Sequence, residues 1–166
     1  MTVREIRLLG DPVLKTVSAP IAHIDDGVRA LVQDLLDTVR LPGRAGVAAP
    51  QIGVNLRAFS YNVDGEVGYI LNPQCVEFSG ESTEVGEGCL SVPDLWFPTP
   101  RYSFARVSGI DLDGRSLELS GSGLMAQALQ HETDHLDGKL YLDVLDREQR
   151  KSAMKQVRES DWFGLS

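Results

Sequence analysis

Gln130-His131-Glu132-Thr133-Asp134-His135-Leu136-Asp137-Gly138 is the stretch from which the rest of the chain can be read. On an α-helix, side chains four positions apart leave the same face, one turn above the other. His131 and His135 can therefore converge on one cation, with Glu132 standing beside the first. This is the His-Glu-x-x-His pattern, in which two imidazoles hold a metal and the carboxylate moves protons for a bound water. The chain has 3 histidines in 166 residues, and two of them fall at this spacing, so a chance helix face is the poorer explanation. A catalytic metal normally takes a third protein ligand, which must come from elsewhere in the chain.

The size and composition are those of a globular protein. A chain of 166 residues fits one domain, 1–166, large enough to bury a core without disulfide staples. No stretch approaches the roughly 20 apolar residues that cross a bilayer. Met1-Thr2-Val3-Arg4-Glu5-Ile6-Arg7 lacks the apolar core of a secretory signal, so a reduced cytoplasmic setting is expected. The formal net charge of −8 argues against binding specific DNA.

Working outward from the motif, its helix is predicted to begin near Ser120 or Ser122 and to end at Gly138, a good C-terminal cap. Met125, Leu129, Glu132 and Leu136 share one strip, and Leu124, Ala128, His131 and His135 share the next. Most of the helix around the histidines is apolar, which predicts a buried central helix. Leu124, Ala128 and His131 are then expected along one wall of a substrate slot.

Upstream, Val28, Leu31, Val32, Leu35, Leu36 and Val39 repeat at helical spacing, with Asp25 or Asp26 as the cap and Pro42-Gly43 as the stop. Gly43 to Gly53 is a run of small residues that suits a backbone passing close to something. Two hairpins follow: 58–63 with 67–71 around Asp64-Gly65, and 105–112 with 116–119 around Asp113-Gly114. Between them lie Glu87-Gly88-Cys89-Leu90-Ser91-Val92-Pro93 and a loop rich in proline and aromatics to Arg101. The final helix, about 146–160, carries Arg147, Arg150, Lys151, Lys155 and Arg158, opposed by Asp146, Glu148 and Glu159. The expected fold class is α+β: antiparallel β-sheets and hairpins packed around a central buried helix carrying the motif, with an N-terminal and a C-terminal helix.

There are two cysteines. Cys75 sits in a strand-like segment and is expected in the core. Cys89 sits in a glycine-flanked turn and is the candidate third ligand. A thiolate with two imidazoles leaves one position of a tetrahedral metal open to water.

Three segments together resemble the signature of bacterial peptide deformylases: Gly46-Val47-Ala48-Ala49-Pro50-Gln51-Ile52-Gly53, Glu87-Gly88-Cys89-Leu90-Ser91-Val92-Pro93 and Gln130-His131-Glu132-Thr133-Asp134-His135-Leu136. The resemblance extends over nearly the whole chain. It implies a metal-dependent hydrolase that removes the formyl group from the N-terminal formylmethionine of nascent polypeptides, with N-formylmethionyl peptides as partners. Cys89, His131 and His135 match the family's metal ligands. Glu132 matches its general base and acid, and Gln51 and the backbone N–H of Leu90 match its oxyanion donors. Gly46 matches a position whose backbone bonds the substrate. Glu87 and Arg101 resemble positions near the ligand loop and the substrate backbone, respectively. One divalent metal per chain is implied, Fe2+ natively, with Zn2+ or Ni2+ in purified protein.

Two departures stand out. Arg44 and Ala45 occupy the start of a segment that usually begins Gly-x-Gly, and Gln127 stands where an apolar residue is common. Asp134 has no assigned role. The competing readings are a His-Glu-x-x-His metallopeptidase that cuts internal peptide bonds and a binding protein with a degenerate site. The basic final helix suggests a weak contact with ribosomal RNA, against the simpler alternative of a solvated face.

Overall fold

The computed structural model describes residues 2–164. The elements run α1 (Asp26–Val39), β1 (Gly46–Ala48), β2 (Ala58–Val63), β3 (Glu66–Cys89), β4 (Val92–Ile110), β5 (Ser116–Ser122), α2 (Gly123–Leu136) and α3 (Arg147–Arg158). Short 3-10 turns lie before α1 (Pro12–Lys15), after β1 (Ala49–Ile52) and after α2 (Tyr141–Val144). The strands form one antiparallel sheet in the order β1-β2-β3-β4-β5.

Side chains alternate across a strand, and that alternation sorts the core. Val47, Ala58 and Leu71 face the apolar stripe of α1, where they pack with Val28, Leu31, Val32, Leu35 and Val39. Their neighbours Ala48, Phe59 and Ile70 face the other way and pack on Ala126, Leu129 and Leu136 of α2. The sheet is thus covered by α1 on one face and by the motif helix on the other. A third cluster, Leu9, Val92, Leu140, Tyr141, Leu142, Leu145, Ala153 and Val157, anchors α3 beside the start of β4.

The helix boundaries follow from their caps. Asp25 accepts a hydrogen bond from the Val28 N–H at 2.9 Å, and Asp146 accepts one from Gln149 N–H at 2.8 Å. Gly138 takes φ +75° just after α2, and a Cβ there would lie 2.8 Å from the Lys15 carbonyl oxygen. Arg57, at the entry to β2, donates to the Leu136 carbonyl at 3.0 Å and pairs with Asp137 at 3.1 Å. The cation therefore sits at the negative end of the motif helix.

Two expectations are corrected. The segment 93–101, read as a loop, lies within β4, and β3 runs far beyond Leu71. Beyond Phe104, β4 is flanked by β5, but its proline-bearing stretch pairs only with β3. One side of that stretch needs no donor, so Pro98 and Pro100 are tolerated there. Register shifts at Leu71/Gln74, Cys75/Glu77, Ser79/Ser82 and Glu87/Cys89 break the alternation by which strands are recognised. Cys75, expected in the core, is exposed on this outer part of β3.

Candidate metal centre

The end of β3 brings Cys89 to the face of α2. Cys89 Sγ lies 3.4 Å from His135 Nε2, which lies 3.1 Å from His131 Nε2. One ligand atom from each of Cys89, His131 and His135 falls within 4.8 Å of the others, the arrangement one cation requires. His131 Nδ1 is 2.6 Å from Glu87 Oε2. Burial opposes a charge on His131, but the charges of Glu132 and Cys89 and the hydrogen bond to Glu87 outweigh it. They raise its pKa well above the ordinary value, so the free imidazole is charged. Nδ1 keeps its proton against Glu87, and Nε2 is the nitrogen that gives one up to a cation facing Cys89 and His135. His135 is kept neutral, its pKa well below the ordinary value through burial and then the charges of His131 and Arg101. The set is chemically that of a mixed thiolate–imidazole metal site.

Behind Glu87 lies a buried ionic relay. Arg101 Nε and Nη2 donate to the two Glu87 oxygens at 2.9 and 2.6 Å, and Nη1 donates to Asp134 Oδ2 at 2.8 Å. Burial opposes a charge on Glu87, but the hydrogen bonds from Arg101 and His131 outweigh it and hold the carboxyl at about 2. The side chains of Arg101 and Glu87 are 5% and 2% exposed. Arg101, expected near the substrate backbone, does not line the cavity; its guanidinium bonds Glu87 and Asp134. This also gives Asp134 a place, as the outer end of the relay. Replacing Arg101 by Met strands a buried carboxylate, and the expected loss is about 3–5 kcal/mol of stability. Urea denaturation measures it, and a loss below about 1 kcal/mol would contradict a buried, paired network.

Glu132 points into the same space. Its Oε1 has no hydrogen-bond partner among the described residues, and Oε2 is 3.9 Å from His131 Nε2. Burial, opposed by the His131 charge, raises its carboxyl to about 7, and a cation beside it favours the ionised form. A Cβ on Gly46 would come within 2.6 Å of Glu132 Oε2, so any larger residue there would push the Glu132 carboxylate aside. This is the close approach that the small-residue run implies.

The Gln51 amide is oriented by the backbone three residues upstream. Oε1 accepts from Ala48 N–H at 3.0 Å, which turns Nε2 toward Ser91 Oγ at 3.2 Å and Cys89 Sγ at 3.7 Å. Gln51 and Leu90 both line a cavity of about 690 Å³ that also reaches Cys89, Glu87, His131 and Glu132. Gly46, Leu124, Gln127 and Ala128 complete its near wall, with Arg44 and Ala45 at the rim. Leu124, Ala128 and His131 share one wall, as their helical spacing predicts. Arg44 donates to the Thr38 carbonyl at 3.0 Å and so covers the end of α1. Gln127 reaches back to the Gly86 carbonyl at 3.2 Å and Glu87 at 3.3 Å.

Two contributors are missing from the sequence reading. Ser91 holds the Gln51 amide, and Tyr141 stacks on His131 with ring centroids 6.2 Å apart. Ser91 belongs to a recognised segment, but its partner is 40 positions away; Tyr141 follows the motif with no spacing signal.

A sequence model of the polypeptide deformylase family matches residues 3–151. The chain belongs to the peptide deformylase family. The peptide deformylase of Acidothermus cellulolyticus is 49% identical over 164 residues, covering 99% of this chain and 91% of that protein. That of a Parafrankia species is 50% identical over 98% of this chain and 89% of the other. Among solved structures, the peptide deformylase of Thermus thermophilus superposes with a TM-score of 0.87 at 37% identity, covering 95% and 94% of the two chains. The Legionella pneumophila enzyme gives 0.87 at 36% identity, covering 95% of each. The protein is accordingly a bacterial-type deformylase, a metal-binding amide hydrolase that removes the formyl group from nascent polypeptides, and cleavage of internal peptide bonds is not favoured. The group Cys89, His131 and His135 could hold its single metal ion.

Proposed function

We propose that Cys89, His131 and His135 are the metal ligands, Glu132 the proton carrier, and Gln51 and the Leu90 N–H the donors to the developing oxyanion, within a single domain spanning 1–166. The observation that carries this reading is the convergence of the three candidate ligand atoms within 4.8 Å beside a buried carboxylate oxygen that has no partner among the described residues.

Held by Cys89, His131 and His135, a metal would supply Lewis acidity and make a water acidic enough to lose its proton near neutral pH. Glu132 takes the proton of the attacking water and delivers it to the amine nitrogen as the formyl C–N bond breaks. Formate and a free N-terminal amine are the products. Gln51 Nε2 and Leu90 N–H hold the oxygen on which charge develops, a role worth roughly 3–4 kcal/mol per donor. Gly46 offers its backbone to the peptide, while Leu124 and Ala128 form the apolar wall for the flexible methionine side chain. Glu87 and Arg101, assigned above to the relay, act through His131 by fixing its tautomer.

Cysteine and histidine together accept several divalent metals, so availability decides the occupant. The proposed native ion is Fe2+, with Zn2+ or Ni2+ as replacements. The expected setting is the cytoplasm; no helix among the described residues is long and apolar enough to cross a membrane. A weak contact of α3 with ribosomal RNA, through Arg147, Arg150, Lys151, Lys155 and Arg158, would place the enzyme near emerging chains and is measurable by salt-dependent co-sedimentation with ribosomes.

The test is a comparison of formate release from formyl-Met peptides with cleavage of the same peptides unblocked. Formate release with intact internal bonds is expected. Internal cleavage without formate would overturn the assignment in favour of a metallopeptidase.

A further inference from the structure

Between Glu87 and Cys89 the pairing of β3 with β4 skips: Glu87 faces Phe97, and Cys89 faces Val92. One residue of β3, Gly88, therefore stands opposite four of β4, Pro93-Asp94-Leu95-Trp96. Bulges of this kind re-aim side chains beside active sites. Asp94 takes φ +65°, consistent with the sharp turn such a bulge needs.

The bulge is tied down at two carbonyls. Trp162 Nε1 donates to the Pro93 oxygen at 3.0 Å, and Tyr141 O–H donates to the Leu95 oxygen at 3.3 Å. Leu95 packs into the cluster formed with Tyr141. Trp96 is aimed the other way and lies on Gly88: a Cβ on that glycine would be 2.9–3.0 Å from the indole ring.

The result is a large apolar ring in water. Trp96 is 72% exposed, and Leu124, on the same cavity, is 45% exposed. Leaving an indole on the surface forgoes the stabilisation of burying it, and at the lip of a ligand-sized cavity it offers a broad aromatic face to a chain that passes over it. The cavity itself is filled at its base by the ligand atoms and Glu132, where the formyl group must lie. Whatever follows the methionine leaves over the lip.

We propose that Trp96, held on the anchored bulge, is a specificity-determining platform on which a side chain downstream of the formylmethionine packs. The platform favours aromatic and large apolar residues at the second or third position of the nascent peptide. This rests on the deformylase reading of the site and adds to it a preference among substrates. The ring touches neither the reacting atoms nor the metal ligands. Its contact is made equally in the ground state and the transition state, so the preference resides in KM and leaves kcat alone.

The experiment compares the formate-releasing holoenzyme with its W96A and W96F variants on formyl-Met peptides carrying Phe or Gln, both uncharged, at position two and then at position three. Wild type should favour Phe roughly three- to tenfold in KM at one of these positions, the scale of an aromatic contact. In W96A that ratio should fall toward one with kcat for the Phe peptide retained, and W96F should restore much of it. No Phe preference in wild type, or an unchanged ratio in W96A, would overturn the platform while formate release still upheld the deformylase reading. Absence of formate release from every formyl peptide would instead strike at that reading, and at the platform with it.

Discussion

Glu132→Gln is expected to retain its metal and to lose formate release by roughly 10²–10⁴-fold, the range general acid–base catalysis commonly supplies. The substitution preserves volume in a tight place, where Glu132 is buried and sits against Gly46. It removes only the capacity to take a proton from water and return it to the leaving amine. Glu132 lies outside the ligand group, so metal content per chain should match wild type. Stability should not fall, because the carboxylate lacks a partner for Oε1 among the described residues and an amide is easier to bury than a charge. Steady-state formate release and metal analysis on the same preparation check both halves. Turnover within about tenfold of wild type would remove Glu132 from the role of proton carrier.

Cys89→Ala is expected to abolish metal retention, with affinity lowered by more than the roughly 100-fold that loss of an outer partner can cost. Cys89 is the ligand candidate contributed by the sheet; His131 and His135 both come from α2. Its thiolate also offsets part of the cation's charge, which two neutral imidazoles cannot do. Cys75→Ala is the matched control, since Cys75 is an exposed thiol on the outer part of β3. Metal content after anaerobic dialysis should be near zero in the first variant and unchanged in the second. A full metal complement in Cys89→Ala would contradict the ligand set.

What the sequence disclosed divides along a physical line. Local periodicity and turn chemistry revealed α1, the Asp64-Gly65 and Asp113-Gly114 hairpins and the motif helix, because each is decided within a few residues. The candidate ligands His131 and His135, with Glu132, were legible because histidine is rare in this chain and their spacing is tied to one helical turn; Cys89 was singled out by its glycine-flanked turn and the scarcity of cysteine. The outer parts of β3 and β4 were hidden, since four register shifts interrupt their alternation and prolines sit where only one side of the strand is paired. The relay from Asp134 through Arg101 to Glu87 and His131 joins positions up to 44 apart and makes sense only once β3 and β4 are laid against α2. For that reason neither the partners of Arg101 nor a place for Asp134 could be read from the sequence.

The most direct measurement is a metal titration. The protein is stripped of metal under anaerobic conditions, Fe2+ is added in steps, and formate release from a formyl-Met peptide is followed. Activity should climb in proportion to added iron and level off at one ion per chain. Formate release that is indifferent to stripping, or that needs more than one ion per chain, would contradict a single-metal centre at Cys89, His131 and His135.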